Sequence, residues 1–110
     1  MRQGEIWELY LDPVKGSEQA GRRPAVILSG NLMNQYLKVV IVCPLTTKIK
    51  NYKGNVILQP DHLNKLDQPS EILLFHIRSV SKDRLKRKLG VVENQLIEEL
   101  INGLNDLLKY

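Results

Sequence analysis

The chain has 110 residues, of which 43% are hydrophobic and 25% are charged, a composition typical of a soluble globular protein. This length suits one domain rather than two, so we expect residues 1–110 to form a single domain. The longest wholly apolar run, Val39–Cys43, is too short to cross a bilayer, and the first residues contain no apolar stretch of signal-peptide length. A cytoplasmic protein is therefore expected. The single cysteine excludes an internal disulfide and a cysteine-based zinc site.

The net charge of +4 is unevenly distributed along the chain. Residues 1–92 carry 15 Lys and Arg against 8 Asp and Glu, whereas residues 93–110 carry one Lys against four acidic residues. A basic body next to an acidic end segment is typical of a surface that binds a polyanion such as a nucleic acid. A purely colloidal role in keeping the protein soluble is the alternative, which charge alone leaves open.

Short apolar runs rich in β-branched residues predict a series of strands up to residue 77. Polar loops separate them, and the longest, residues 12–22, contains two glycines and few apolar side chains. A second polar loop, residues 46–54, carries three lysines, and residues 30–36 are a connector that we expect to form a single helical turn. The predicted strands are Glu5–Leu11, Pro24–Ser29, Lys38–Leu45, Asn55–Gln59 and Ser70–Ile77.

Apolar residues near the end of the chain recur with the three-to-four spacing of an amphipathic helix. Gly90 breaks the chain before this helix, and Gly103 lies inside it at a cost of about 1 kcal/mol relative to alanine. We expect the apolar side to pack onto the sheet, because a sheet with one apolar face needs a cover; docking of a partner helix is the alternative. The apolar positions are Leu96, Ile97, Leu100, Ile101, Leu104, Leu107 and Leu108. Strands followed by one helix predict a small antiparallel sheet or barrel capped by that helix.

Two arginines and a proline stand where the long polar loop meets a predicted buried strand. The sequence contains no phosphate-binding loop, dinucleotide fingerprint, nucleophile elbow or metal-ligand spacing, so this junction is the most unusual polar feature. Pro24 fixes its own backbone and restricts Arg23 to extended geometry. A guanidinium group held in this way suits bidentate binding of phosphate. The alternative is a surface ion pair with a carboxylate such as that of Glu18.

Two threonines end the predicted central strand. Thr46 and Thr47 follow a Pro-Leu pair and precede Lys48 and Lys50. Hydroxyl groups at a strand end can bind phosphate oxygens. Threonine pairs are also common in β structure for purely structural reasons, so this feature alone is a weak signal.

Three segments together resemble the MazF/PemK family, the toxins of bacterial toxin–antitoxin pairs. They are GEIWELYLDPVKGSEQAGRRPAVILS (4–29), VCPLTT (42–47) and SEILLFHIRSVSKDRLKRKLG (70–90). The resemblance implies a mainly β (α+β) fold, a small SH3-like β-barrel of the MazF/Kid/CcdB type with a C-terminal helix, and a homodimer. It also implies a sequence-specific endoribonuclease that cuts single-stranded RNA (mRNA) without a metal or cofactor and is inhibited by a cognate antitoxin protein. The implied products are a 2′,3′-cyclic phosphate and a 5′-hydroxyl, and the implied outcome is inhibited translation and growth.

The resemblance also implies roles for individual residues. Arg23, before the proline, and Thr46, after the Pro-Leu pair, match the family's catalytic residues. Glu18 and His76 are candidates for the general acid and base, and which residue plays which part stays open. The residues expected to contact RNA are Ser17, Gln19, Thr47, Lys48, Lys50, Lys53 and Arg78.

The sequence departs from the family pattern around the site. His76 stands where most relatives have glutamine, and Phe75 stands where acidic residues are common. One branch of the family has histidine where this chain has Ser17. These departures concern base preference and the acid or base partner, and they leave Arg23 and Thr46 in place.

Three questions stay open from the sequence. The basic cluster Lys82–Lys88 is either a second RNA contact or a solvated surface. The protein could instead be a gyrase poison of the same fold, against which Arg23 and Thr46 argue, because that branch lacks both motifs. It could also be a catalytically silent module that binds RNA or an antitoxin.

Overall fold

The computed structural model describes residues 1–10 and 22–110, which form a mainly β structure ending in a long helix. The strands are β1 (Glu5–Tyr10), β2 (Arg22–Ile27), β3 (Val39–Thr46), β4 (Val56–Leu58), β5 (Ser70–Ile72), β6 (Arg78–Ser81) and β7 (Leu85–Val91). The helices are α1 (Asn31–Tyr36), which confirms the predicted helical turn, and α2 (Asn94–Lys109). Single 3₁₀ turns lie at Leu74–His76 and Lys82–Arg84. The predicted mainly β fold with a terminal helix is confirmed.

One antiparallel sheet contains all of these strands, and β3 is its centre. Along one edge β3 pairs with β2, which continues through β1 to β7. Along its other edge β3 pairs first with β6 and then with β5, and β5 pairs in turn with β4. Within residues 1–10 and 22–110 no pairing joins β4 to β7, so the sheet is open and not a closed barrel.

The two faces of β3 bury separate groups of apolar side chains, because side chains alternate across a strand. Cys43 and Leu45 belong to the cluster that α2 covers. Val40 and Val42 belong to a second cluster on the opposite face, together with side chains of β1, β2, β6 and β7. Burial on both faces explains why the centre of β3 is apolar at every position.

The apolar side of α2 packs onto the sheet over the first part of the helix. Ile97 and Leu100 are buried in the first cluster, which confirms the expectation that this side covers the sheet. Further along, Leu107 and Leu108 are 43% and 79% exposed, so the apolar stripe extends past the surface that it covers.

Gly103 permits the close approach of α2 to the 3₁₀ turn at Leu74–His76 and to the turn at Gly54. A Cβ atom at this position would lie 2.7 Å from Leu74 Cδ1 and 3.2 Å from the carbonyl oxygen of Gly54. A side chain here would push the helix away, which offsets the intrinsic cost of glycine in a helix.

The predicted strand Ser70–Ile77 is wrong beyond its third residue. A 3₁₀ turn at Leu74–His76 interrupts it: the N–H of Leu74 donates to Asn55 Oδ1 (3.1 Å), and the N–H of His76 donates to the carbonyl oxygen of Leu73 (3.1 Å). His76 is consequently exposed on a turn, whereas the sequence placed it within an apolar strand.

β7 was not predicted, because its residues are largely cationic. It pairs only with β1 among the described residues, and carboxylates of β1 meet its charges. Arg87 lies 3.8 Å from Glu8, and Lys88 lies 3.3 Å from Glu5. This segment is therefore a strand because it pairs with β1, and sequence periodicity alone does not reveal that pairing.

The sequence predicted that Gly90 breaks the chain before α2, but Gly90 lies within β7. A Cβ atom at this position would lie 2.3 Å from the carbonyl oxygen of Asn64. Glycine is required because two backbone segments approach too closely for any side chain.

Cys43 lies opposite Val26 in the β2–β3 ladder and is fully buried. Burial raises the pKa of its thiol to about 12. The thiol is therefore neutral at physiological pH and has the character of a small apolar side chain.

Candidate active site

The register of β2 and β3 determines where the two candidate catalytic residues lie. Ala25 pairs with Pro44. The ladder ends at this pair, and Arg23 and Thr46 each lie two residues beyond it, at the same end of the two strands. Because side chains alternate across a strand, both residues lie on the face of the second core cluster, which includes Ala25. They lie where that buried surface ends.

Arg23 and its neighbour Arg22 have different environments. Arg22 donates a hydrogen bond to Tyr10 Oη (2.9 Å), lies 3.4 Å from Glu8 Oε1, and stacks 5.0 Å from the centroid of the Tyr10 ring. Arg23 is exposed, and no carboxylate of residues 1–10 or 22–110 pairs with it. Of the two guanidinium groups, that of Arg23 is the one open to an anionic ligand.

Thr46 is half-buried at the last position of β3. Its Oγ1 accepts a hydrogen bond from the backbone N–H of Lys48 (3.1 Å). This bond fixes the position of the oxygen and leaves the hydroxyl hydrogen to act as a donor. The hydroxyl group is thus oriented by the loop that follows it.

An open cleft of about 470 Å³ adjoins the same end of the sheet. It is lined by Pro44, His76, Arg78 and Ser79. Arg78 is half-buried and pairs with Val42 of β3, so its side chain lies on the same face as Thr46. The structure therefore brings two more of the expected residues, His76 and Arg78, to the cleft beside the end of β3.

A fully buried carboxylate, that of Glu71, holds the loop after Thr46. Glu71 pairs with Thr46 in the β3–β5 ladder. Four donors of the loop point at its two oxygens, and they are the backbone N–H groups of Lys50 (2.8 Å), Asn51 (3.0 Å) and Tyr52 (2.8 Å) and the side-chain amide of Asn55 (3.1 Å).

These contacts determine the ionisation of Glu71. Burial raises the pKa of its carboxyl group, but the hydrogen bonds from the Lys50 N–H, the Asn55 amide and the other two backbone donors outweigh burial and hold the pKa below its usual range. The ionised carboxylate is the form that accepts all four bonds. The loop is thereby fixed with Thr47, Lys48, Lys50 and Lys53 exposed to solvent.

Comparisons with known proteins agree with this arrangement. A family model described as PemK-like, MazF-like toxin of type II toxin–antitoxin system matches residues 2–108. The chain belongs to the PemK/MazF toxin family. It is 38% identical over 106 residues to "Endoribonuclease MazF" of Staphylococcus saprophyticus, an alignment that covers 96% of this chain and 88% of the relative.

Solved structures give the same assignment to the PemK/MazF family. MazF from Deinococcus radiodurans superposes with a TM-score of 0.80 at 31% identity, covering 100% of this chain and 97% of that chain. A MazE–MazF structure from the same organism also gives a TM-score of 0.80 at 31% identity, covering 98% and 95% of the two chains.

Some of the family-based expectations lie outside what the structure describes. Ser17, Glu18 and Gln19 fall outside residues 1–10 and 22–110. The ion pair between Arg23 and Glu18 that the sequence suggested as an alternative therefore stays a prediction.

Sequence reasoning missed two residues at this end of the sheet and assigned no role to a third. Glu71 escaped notice although a carboxylate inside the apolar run SEILL is a usable signal of a buried polar contact. Tyr52 also escaped notice, and Phe75 was noted only as a departure from the family pattern; in the structure both rings are about half-exposed beside the cleft. In a chain with six aromatic residues, two exposed rings in contact are a feature that loop sequence alone does not reveal.

The basic cluster Lys82–Lys88 is largely engaged with neighbouring groups. The Lys82 ammonium donates to the carbonyl oxygen of Asn34, and that of Lys86 donates to the carbonyl oxygen of Asp83 (3.0 Å). Together with the contacts of Arg87 and Lys88 to β1, these bonds favour the interpretation of the cluster as a solvated surface over its interpretation as a second RNA contact.

No group of three or more metal-ligating side chains occurs in the part of the chain that the structure describes. Among the same residues, none of the helices combines the length and apolar character that crossing a membrane requires.

Proposed function

We propose that this chain is a cytoplasmic, sequence-specific, metal-independent endoribonuclease toxin that cleaves single-stranded RNA. The attacking group is the 2′-hydroxyl of the substrate, and the products are a 2′,3′-cyclic phosphate and a 5′-hydroxyl. Cleavage of mRNA inhibits translation and growth, and a cognate antitoxin protein restrains it. The family membership and the endoribonuclease name of the Staphylococcus saprophyticus relative support this proposal.

The observation that carries the proposal is the register of β2 with β3, because Arg23 and Thr46 each follow its last pair, Ala25–Pro44, by two residues at the same end and on the same face of the sheet. Arg23 binds the non-bridging oxygens of the scissile phosphate, where negative charge grows in the transition state. The hydroxyl hydrogen of Thr46 donates to the same phosphate, since its oxygen already accepts from the N–H of Lys48. Together they hold the phosphorus in line with the neighbouring 2′-hydroxyl, and such alignment can supply about 7 kcal/mol or more of the rate enhancement.

The reaction also needs a base for the 2′-hydroxyl and an acid for the leaving 5′-oxygen. Arginine keeps its proton at neutral pH and serves neither step. His76, which lines the cleft next to Arg78, is one candidate, because an imidazole exchanges protons near neutral pH. Glu18 is the other candidate.

RNA binding beyond the scissile phosphate falls to the residues around the cleft. Arg78 and the exposed cations of the loop, Lys48, Lys50 and Lys53, contact flanking phosphates, and Thr47 contacts the adjoining sugar–phosphate backbone. Ser17 and Gln19 contact RNA from the segment before β2.

The partners we propose are single-stranded RNA, a cognate antitoxin and a second copy of the chain. The MazE–MazF structure from Deinococcus radiodurans, which resembles this chain, supports an antitoxin partner. Sedimentation of the pure protein is expected to give twice the chain mass of 12.6 kDa, and a monomeric value at micromolar concentration would contradict the homodimer.

The deciding experiment is incubation of the purified protein with a long single-stranded RNA in EDTA. Discrete fragments ending in 2′,3′-cyclic phosphate are expected, and sequencing of their 5′ ends gives the recognised site. Arg23→Ala and Thr46→Val each lower single-turnover cleavage by roughly 10²–10³-fold, the usual effect of removing one donor that stabilises transition-state charge.

Arg22→Ala is the matched control, because it removes the neighbouring guanidinium that Tyr10 and Glu8 already hold. It is expected to retain most of the activity. RNA that stays intact with folded protein would contradict the proposal and favour the gyrase-poison or silent-module alternatives, and full activity of Arg23→Ala would overturn the assigned mechanism.

A further inference from the structure

Three aromatic side chains form a continuous exposed surface beside the cleft. The rings of Tyr52 and Phe75 meet edge to face with centroids 5.2 Å apart, and the rings of Phe75 and His76 meet in the same way at 4.6 Å. Tyr52 is 46% exposed and Phe75 is 47% exposed. We refer to Tyr52, Phe75 and His76 as the aromatic surface.

The backbone on both sides of this surface is held firmly. The N–H of Tyr52 donates to the buried carboxylate of Glu71 at 2.8 Å. On the other side, the N–H of Leu74, next to Phe75, donates to Asn55 Oδ1 at 3.1 Å, and Asn55 itself donates to Glu71. One hydrogen-bonded unit therefore fixes both segments, so that the rings need little further ordering to bind a ligand.

The surroundings of the aromatic surface are cationic. His76 lines the cleft together with Arg78, and Lys50 and Lys53 flank Tyr52 in the loop. The residue that anchors this loop, Glu71, is the ladder partner of Thr46. An apolar ring surface next to positive charges and close to the candidate phosphate site matches a nucleotide better than an uncharged peptide.

We propose that the aromatic surface is a base-binding subsite that stacks one unpaired nucleobase of the RNA next to the scissile phosphate. This inference rests on the proposed function, since it assigns a further contact of the same substrate. Every base has a π face, so stacking adds affinity with modest sequence preference, while hydrogen bonding by neighbouring groups selects the base.

Binding is measured with a short RNA that the wild-type protein cleaves, made with 2′-deoxyribose at the cleaved nucleotide so that no nucleophile is present. Phe75→Ala and Tyr52→Ala are expected to weaken binding by roughly 5- to 150-fold, which corresponds to about 1–3 kcal/mol for each stacked base. Phe75→Trp, which keeps an aromatic face, is expected to restore affinity to near the wild-type value.

Tyr36→Ala is the matched control. Tyr36 is 71% exposed and ends α1, near the other end of β3 from Thr46 and on the order of 20 Å from it. Its loss is expected to leave RNA affinity unchanged. Thermal unfolding of each variant checks the fold, which half-exposed rings should affect little.

An abasic RNA separates stacking from a structural effect. Replacing the stacked nucleotide by an abasic one weakens binding to the wild-type protein by the same factor as Phe75→Ala, and the two changes together add little more. If the affinity lost through Phe75→Ala and the affinity lost through an abasic nucleotide are additive at every nucleotide position, the proposal is overturned, because the ring then contacts no particular base.

Two other outcomes also overturn the subsite. Unchanged RNA affinity of Phe75→Ala and Tyr52→Ala would remove these rings from RNA binding, and weakened antitoxin binding by the same variants would then assign the surface to a protein partner. Neither result affects the proposed nuclease, which depends on cleavage by the wild-type chain and its loss in Arg23→Ala. Failure of that cleavage assay would instead overturn the proposed function.

Discussion

At the scale of single residues, the site is shaped by what each side chain has already bound. Arg22 and Arg23 are neighbours in sequence, yet consecutive residues of a strand point to opposite faces, so Tyr10 and Glu8 engage one and leave the other exposed. Thr46 uses its oxygen as an acceptor within the loop and keeps its hydrogen as a donor. The chemistry that we propose at the phosphate thus depends on local contacts that never touch the substrate.

His76→Gln tests the acid or base part assigned to the imidazole. We expect the single-turnover cleavage rate to fall by roughly 10²-fold and one limb of the pH–rate profile to disappear, because glutamine cannot exchange a proton. Rates measured from pH 5 to pH 9 check this. An unchanged rate and profile would remove His76 from proton transfer and leave Glu18 as the candidate.

Glu71→Gln tests the carboxylate that holds the loop. The amide NH₂ of the new glutamine faces N–H groups from which the carboxylate accepted hydrogen bonds. Each buried donor left without an acceptor costs about 1–3 kcal/mol of unfolding free energy. Because hydrogen bonding lowers the pKa of Glu71 in the folded protein, the contribution of the carboxylate to stability is complete above its unfolded pKa. It is lost as the pH falls through the folded value.

The difference in unfolding free energy between the wild type and Glu71→Gln should therefore be largest near neutral pH and shrink below about pH 4. Urea unfolding at several pH values measures it. Glu98→Gln, a substitution on the exposed face of α2, is the control and should change neither stability nor its pH dependence. A difference that grows as the pH falls would contradict the assigned ionisation.

At the scale of secondary-structure elements, the loop between β3 and β4 is the part that we propose presents cations to RNA. Lys48→Ala, Lys50→Ala and Lys53→Ala should each reduce the slope of log affinity against log salt by about 0.7 for single-stranded RNA, since each removes one phosphate contact. Titrations from 50 to 300 mM salt check this. Lys109→Ala at the end of α2 should leave the slope unchanged, and equal slopes for all four variants would contradict a phosphate contact by the loop.

Elements that depend on their own residues were predictable from the sequence, and elements that depend on distant partners were not. The apolar runs of β1 to β3 and the stripe of α2 carry their own signal. β7 is cationic, and its strand structure depends on Glu5 and Glu8, which are about 80 residues earlier in the sequence. The 3₁₀ turn after β5 likewise involves a distant residue, because the N–H of its first residue, Leu74, donates to Asn55 Oδ1.

The same distinction applies to the site. Arg23 and Thr46 could be chosen because motifs mark them, and the register of β2 with β3 supports that choice. Glu71 and the contact between Tyr52 and Phe75 depend on a loop folding back over some 20 residues, for which local periodicity gives no signal.

At the scale of the whole molecule, the rate at which a reagent labels the buried Cys43 depends on the stability of the fold. A disulfide-exchange reagent can reach this single thiol only when β2 and β3 separate, and with a pKa of about 12 the thiol supplies almost no thiolate until then. Labelling at pH 8 should therefore be roughly 10⁴-fold or more slower in native buffer than in denaturant. Comparable rates in the two conditions would mean that this ladder opens readily. Otherwise the labelling rate of Cys43 reports how often the core opens.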